Sequence, residues 1–179
     1  MAHLLNLGTL EASSQVYALK SGAGEEGGTT YDPSAGNIVF SYGSTSNFIH
    51  ETTHGGQFET GDIAFDTKTG MSYGSDVHDE VAAYKAQFAY NPSSVSGLTS
   101  SSTANSFGTI TASWVQGVIK SDGSKPYTPG GNSNTGIAPV NINANRAGLI
   151  KAYPNQTSVL QALPATFILR NISTIYYKK

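Results

Sequence analysis

Hydrophobic positions along the chain follow two periods, one typical of strands and one typical of helices. Residues 37–42 are rich in β-branched and aromatic side chains and lie between two glycines, as strands commonly do. Residues 44–47 then offer several polar N-caps before a helix over residues 48–54, which the pair Gly55 and Gly56 is expected to weaken or end. The pattern therefore predicts a strand, a cap and a helix in that order.

A hairpin and a second helix are predicted next. Residues 62–65 and 71–73 flank five residues that end in Gly70, a composition typical of a hairpin loop. Hydrophobic side chains then recur at helical spacing from Val77 to Phe88, and Asn91 and Pro92 end this helix. A short connection of this kind would bring the second helix back against the first.

The remaining pattern is weaker. Residues 1–20 predict a short helix followed by a strand, and residues 21–30, 93–106 and 124–135 have the Gly, Ser, Thr, Pro and Asn content of loops. Helices are predicted over residues 111–120, 143–153 and 157–163, and residues 167–169 and 172–177 are expected to be strand or a docking tail. The sum is an α+β fold of one domain over residues 1–179, with a small sheet early and helices after it.

Composition excludes several classes of function. The net charge is −2 and only 12% of the residues are charged, so neither nucleic acid nor a membrane surface is an expected partner. There is no cysteine, so a metal would need His, Asp or Glu as ligands. No apolar stretch is long enough to span a membrane, and no signal-peptide pattern opens the chain. The sequence is compatible with one part of a longer exported protein.

The clearest chemical signal is His50, Glu51 and His54 on the first helix. At about 100° per residue, two histidines four positions apart lie only roughly 40° apart around the axis, so both imidazoles can share one metal ion. Glu51 projects beside them, where its carboxylate can take a proton from a metal-activated water as the general base. Chance is the alternative explanation, and it would produce this pattern in about one chain in a hundred. The strand before the helix is expected to offer an edge for an extended peptide.

A catalytic zinc needs a third protein ligand. The pattern with a third histidine would need Gly at 57 and His at 60, but the chain has Gln57 and Thr60. Glu80 is the candidate instead, because it lies on the second helix and borders its hydrophobic side.

Other side chains in the same turn compete with Glu80 or take other roles. His78 is the main competitor as ligand, and it is also a candidate for contact with the substrate or the oxyanion. Asp79 points further round the helix. Asp76 is expected to be the N-cap, without a capping box because residue 79 is not Glu.

Four further side chains have the chemistry to act near a metal. Tyr73 could donate its hydroxyl to an anionic intermediate, although packing is the commoner role of a hairpin tyrosine. Tyr84 and Gln87, one and two turns after Glu80, are expected to orient the ligands. His3 lies too near the terminus to be favoured as a ligand.

Residues 48–65 together with 73–87 resemble metallopeptidase-like domains of bacterial RHS-repeat and polymorphic toxin-like proteins. The resemblance covers about residues 30–95 and implies a zincin-like fold, Zn²⁺ held by His50, His54 and Glu80, and Glu51 as the catalytic acid and base. It also implies a secreted or cell-surface location within a longer protein, and an immunity or inhibitor protein as a partner. Such family-level implications are analogies.

The expected function is zinc-dependent hydrolysis of peptide bonds, with a protein or peptide as substrate. Two alternatives stay open. One is a catalytically silent module of the same fold with a binding or structural role. The other is an effector domain in which the metal has no open coordination position and only stabilises the fold.

Overall fold

The N-terminal sheet has three strands with the predicted strand at its centre. The computed structural model describes residues 2–22, 27–99, 103–129 and 135–179. Within it, β1 (Tyr17–Ser21) runs parallel to β3 (Asn37–Tyr42), and β2 (Gly28–Asp32) pairs with β3 on the other side in the antiparallel sense. The predictions of β1 and β3 are confirmed.

Two expectations about this sheet are wrong. A loop is expected over residues 21–30, but a strand begins at Gly28. Pairing with β3 supplies its backbone hydrogen bonds, and the local sequence does not indicate this pairing. Residues 23–26 lie outside the described part of the structure. The strand before the motif helix was expected to offer a free edge, but β3 is paired on both sides. The edge strand next to the helix that carries His50 and His54 is β2.

The helix that carries the histidines is α2 (Thr45–Thr60), and it is longer than predicted. Its N-cap is Ser44, whose hydroxyl accepts the backbone N–H of Asn47 at 3.1 Å, and its C-cap is Gly61, which has a φ of 78°. The expectation that Gly55 and Gly56 end the helix is wrong. A Cβ on Gly55 would lie 2.6 Å from Cζ of Phe40, so this glycine allows the helix to approach the sheet closely.

A second small sheet lies beyond α2. The predicted hairpin is confirmed, with β4 (Ala64–Asp66) antiparallel to β5 (Ser72–Tyr73), and the C-terminal segment adds β6 (Ile175–Tyr176) on the other side of β4. The expectation of a strand is therefore confirmed within residues 172–177, whereas residues 167–169 contain only an isolated bridge at Ile168 and the start of a 3₁₀ helix at Leu169. This sheet packs near the first one, since the backbone N–H of Tyr31 donates to the carbonyl of Gly70 at 3.1 Å.

Helix α3 (Val77–Tyr90), which carries Glu80, packs against α2, and helix α1 (Ala2–Ala12) also packs against α2. Asp76 is the N-cap of α3, as predicted. The expectation that no capping box forms is wrong, because the shorter Asp79 side chain still accepts the backbone N–H of Asp76 at 2.8 Å. The helix ends at Asn91, before the proline, as predicted.

The remaining helices are short: α4 (Ser93–Ser96), α5 (Ala112–Gln116), α6 (Arg146–Ala152) and α7 (Thr157–Gln161). Helix α5 is shorter than the predicted 111–120, because it is capped at Gly117 and Val118 forms a β-bridge with Thr99. The α+β class is confirmed. Among the described residues, no helix has the length and hydrophobicity that crossing a membrane requires.

Candidate metal centre

Three side chains from two helices converge between α2 and α3. Nε2 of His50 lies 3.3 Å from Oε2 of Glu80, and Nε2 of His54 lies 3.7 Å from Oε1 of the same carboxylate. One potential ligand atom from each of the three residues lies within 4.8 Å of the others, so the group can hold a metal ion. His50 and Glu80 are buried and His54 is half-buried. The structure thus brings together the three residues that the sequence predicted as metal ligands.

The candidate metal-binding group does not include the other polar side chains in the same turn as Glu80, which are Asp76, His78 and Asp79. Asp76 accepts the backbone N–H groups of His78 at 2.7 Å and of Val140 at 2.8 Å, which ties α3 to the C-terminal part of the chain. Asp79 accepts the N–H of Asp76, and His78 is exposed. In this turn of the helix, Glu80 is the residue placed against the histidines.

The tautomer of His54 follows from its neighbours. Nε2 of Gln57 donates to the backbone carbonyl of Asp79 at 3.0 Å, and a carbonyl can only accept, so the amide oxygen of Gln57 faces His54. That oxygen lies 2.7 Å from Nδ1 of His54 and also can only accept. Nδ1 therefore carries the hydrogen, and Nε2 is the ring nitrogen directed at Glu80.

His50 is held in the same way from the other helix. Its Nδ1 lies 3.0 Å from the amide oxygen of Gln87, whose nitrogen donates to Oγ of Ser94 at 3.2 Å and points toward the Ser94 carbonyl at 3.4 Å. Nδ1 of His50 is again the donor, and Nε2 faces Glu80. The expectation that Gln87 lies where it can orient a ligand agrees with this contact, whereas Gln57 was missed although it lies one turn after His54.

These orientations leave acceptors facing each other. With Nδ1 of both histidines bound to amide oxygens, the Nε2 lone pairs of neutral rings point at a carboxylate, and Oε2 of Glu80 is buried without a hydrogen-bond donor. Such an arrangement needs a positive charge between the groups, either a proton or a cation. Two imidazole nitrogens and a carboxylate oxygen fit the ligand set of a first-row divalent metal.

The pKa shifts have the same physical origin. Burial lowers the pKa of His50, but the carboxylates of Glu80 and Glu51 outweigh it and the pKa lies above its usual value. Burial raises the pKa of Glu80, and the neighbouring His54 and His50 outweigh it, so this pKa lies below its usual value. A proton on the histidine side would occupy the place that a metal ion takes, so metal binding would release it.

Glu51 is buried next to His50 on α2, where its charge raises the pKa of His50, and it is held by two donors. Oε2 accepts the hydroxyl of Thr29 at 2.8 Å, and Oε1 accepts the amide of Asn47 at 3.2 Å. The backbone N–H of Gly43 donates to the amide oxygen of Asn47, which turns the NH₂ group toward Glu51. Thr29 was missed because its strand was expected to be a loop, whereas Asn47 lies one helical turn before Glu51.

Glu51 and His50 line a groove of about 630 Å³, together with Tyr84, Gln87 and Tyr127. The ring of Tyr84 packs edge-on against His50 with centroids 4.5 Å apart, which fits the expected supporting role.

Tyr127 was not anticipated. Burial raises the pKa of Tyr127 well above its usual value, and its hydroxyl hydrogen-bonds with Glu80 and Tyr84. It comes from a segment predicted as loop, where no local pattern marks it.

Tyr73 and His78 are not brought to the ligands. The hydroxyl of Tyr73 donates to Oδ2 of Asp66 at 2.8 Å, within the second sheet. His78 lines a different groove, shared with Asp62 and Asp79, and does not line the one at Glu51. Their positions give no support to the expected contact with an oxyanion. The side chain of His3 lies outside the described part of the structure.

Comparisons with known proteins add no family to this description. No protein-family profile matches the chain, and neither a curated protein nor a solved structure matches it. The case for a function therefore rests on the geometry of the site.

Proposed function

We propose that the protein is a zinc-dependent metallopeptidase in which His50, His54 and Glu80 hold Zn²⁺ and Glu51 is the general base. One observation carries the proposal: two oriented imidazole nitrogens converge on a carboxylate whose buried Oε2 has no donor, while a separate carboxylate, Glu51, lines a groove together with His50. A purely structural cluster would not need the second carboxylate.

The ligand set favours zinc in a catalytic arrangement. Two histidines and one glutamate are three protein ligands, the number that leaves a coordination position for water or substrate. A zinc ion bound there would lower the pKa of a water molecule toward about 7 and polarise the carbonyl of the scissile bond.

Glu51 moves the proton. Its carboxylate accepts a proton from the attacking water as the new C–O bond forms, and it delivers that proton to the amine nitrogen as the C–N bond breaks. Thr29 and Asn47 each donate to one of its oxygens, which fixes the carboxylate while lone pairs remain for the water. The groove beside Glu51 gives a substrate access to these oxygens.

Strand β2 supports a peptide as the substrate. The N–H of Tyr31 points away from β3 toward Gly70, and backbone groups two residues apart in a strand point to the same side. The N–H and carbonyl of Thr29 therefore face the outer side of the sheet, and the Thr29 side chain contacts Glu51. The N–H of Tyr31 is already used by Gly70, so an extended peptide would pair with this edge at Thr29, beside the proposed base.

The same proposal extends to the fold family. A small sheet, a helix with the two histidines and a following helix with the glutamate make a zincin-like arrangement, in keeping with the resemblance to metallopeptidase-like domains of exported bacterial proteins. A secreted or surface location within a longer protein belongs to this proposal as well.

The decisive experiment pairs Glu51→Gln with Glu11→Gln, an exposed glutamate on α1. Metal content by elemental analysis and hydrolysis of a mixed peptide library are measured for both variants and the wild type. We expect one zinc per chain in all three proteins, and a rate loss of about 10²–10⁴-fold in Glu51→Gln alone.

Three outcomes would contradict the proposal. Full hydrolysis by Glu51→Gln removes Glu51 from the mechanism, and absence of metal from the wild type removes the site. Bound zinc with no turnover, a large fall in melting temperature on chelation and no binding of a hydroxamate inhibitor would indicate a structural metal.

A further inference from the structure

We propose that Gln57 is a positioning residue that sets two of the three metal ligands at once. The inference rests on the proposed metal site and does not depend on peptide hydrolysis. Gln57 lies on α2 one turn after His54, and its amide reaches the backbone immediately before Glu80 on α3. It therefore links a ligand on each helix.

Each half of the amide has one possible role. The NH₂ group donates to the carbonyl of Asp79 at 3.0 Å, and the oxygen accepts Nδ1–H of His54 at 2.7 Å. Exchanging the two ends would place a donor against the imidazole N–H and an acceptor against the carbonyl. The first contact fixes the tautomer of His54, and the second fixes the backbone position from which Glu80 extends.

Burial makes these two bonds costly to lose. Gln57 is 9% exposed, so water has little access to the groups it satisfies. Removing the amide would leave Nδ1–H of His54 and the Asp79 carbonyl without partners. His54 could then turn its proton to Nε2, the nitrogen needed for the metal. A hydrogen-bond partner of this kind typically changes metal affinity by about 10–100-fold.

Gln87 provides an informative contrast. Its oxygen holds His50, but its nitrogen is directed at Ser94 in α4, which bears no ligand. Gln87 thus acts on one ligand only, whereas Gln57 acts on His54 and on the backbone beside Glu80.

The test measures Zn²⁺ affinity by competition with a chromophoric chelator and follows the imidazole Nδ1–H proton of His54 by NMR in the zinc-loaded protein. Gln57→Met keeps the side-chain length and removes both hydrogen bonds. We expect about 10–100-fold weaker Zn²⁺ binding and a Nδ1–H proton that exchanges rapidly with water. Gln161→Met, at an exposed glutamine, is the matched control and should change neither.

Gln57→Glu separates the two contacts. Its carboxylate keeps an acceptor for His54, so the Nδ1–H proton should remain protected from exchange. Should Gln57→Met fail to fold by circular dichroism, Gln57→Asn takes its place, because the shorter amide cannot span both partners.

Two results would overturn the proposal. One is wild-type Zn²⁺ affinity in the folded Met or Asn variant. The other is a His54 proton that is lost in Gln57→Glu or stays protected in Gln57→Met. Neither measurement uses a peptide, so a protein that binds Zn²⁺ without hydrolysing peptides would defeat the proposed function and leave this inference standing.

Discussion

Two buried carboxylates in this protein, Asp66 in the second sheet and Glu80 on α3, have opposite surroundings. Oδ1 of Asp66 accepts the backbone N–H groups of Lys68 at 2.7 Å and Thr69 at 2.8 Å. Oδ2 accepts the hydroxyls of Tyr73 and Thr174, each at 2.8 Å. Both carboxylate oxygens of Asp66 are therefore hydrogen-bonded by donors of the protein itself.

Glu80 is different because its main neighbours are ring nitrogens turned toward it with their lone pairs. Oε2 has no donor, and Nε2 of His50 lies 3.3 Å from it. A buried carboxylate oxygen costs free energy unless it is paired, so Oε2, which lacks the donor that Tyr127 supplies to this carboxylate and faces an imidazole lone pair, marks a place for a cation. Asp66 holds the hairpin and the C-terminal segment together, and Glu80 is available to a metal.

Glu80→Gln should produce the largest effect. Removing a ligand and its charge is expected to weaken Zn²⁺ binding by more than the roughly 100-fold that loss of a ligand's hydrogen-bond partner can cost. Competition with a chromophoric chelator measures this affinity. Unchanged Zn²⁺ affinity would show that Glu80 is not a ligand.

Asp66→Asn should show the reverse behaviour. The new NH₂ group would face donors, so we expect the free energy of unfolding to fall by about 1–3 kcal/mol while Zn²⁺ affinity stays the same. Chemical denaturation measures the loss, and Asp122→Asn, at an exposed carboxylate, serves as the control. A large loss of Zn²⁺ affinity in Asp66→Asn would erase the distinction between the two carboxylates.

The acid dependence of stability should also depend on Asp66. Hydrogen bonds from Thr69 and Tyr73 outweigh burial and hold the pKa of Asp66 well below the usual 3.8. A carboxylate whose pKa is lower in the folded state contributes stability that is present above pH 4 or so and lost as the pH falls below it. Between about pH 4 and pH 2, the wild type should therefore lose stability more steeply than Asp66→Asn. Parallel curves would contradict this role.

Tyr73→Phe should have the smallest effect. It removes one of four donors to Asp66, which is expected to lower the free energy of unfolding by about 0.5–1.5 kcal/mol. Peptide hydrolysis and Zn²⁺ affinity should stay within about twofold of wild type, since the hydroxyl is engaged away from the groove. A loss of hydrolysis by tenfold or more at unchanged stability would instead indicate a catalytic role for Tyr73.

The predictable features of the site are those that depend on near neighbours in the chain. His50 and His54 share a helix face because four residues make about one turn. Asp76 and Pro92 bound the second helix, so the sequence also predicted the element that carries Glu80. Asn47 and Gln57 lie one turn from the residues they hold, and the same rule could have indicated both.

The features that escaped prediction depend on contacts between distant segments. Thr29 reaches Glu51 across 22 residues of sequence, and it lies in a strand that forms only by pairing with β3. Tyr127 reaches Glu80 from a segment with the composition of a loop. Position 55 of the helix is a glycine because Phe40 on the sheet leaves no room for a side chain. Local propensity carries none of this information.

The sequence by itself therefore determined the α+β class, the helix with two histidines and a glutamate, and the identity of the carboxylate expected to join them. The tertiary structure decided which carboxylate is already satisfied and which is not. Tyr73 and Thr174 meet at Asp66 although 101 residues separate them in the chain, and their hydroxyls are used there. Helical periodicity is local, whereas the number of donors around a buried oxygen depends on every segment that packs against it.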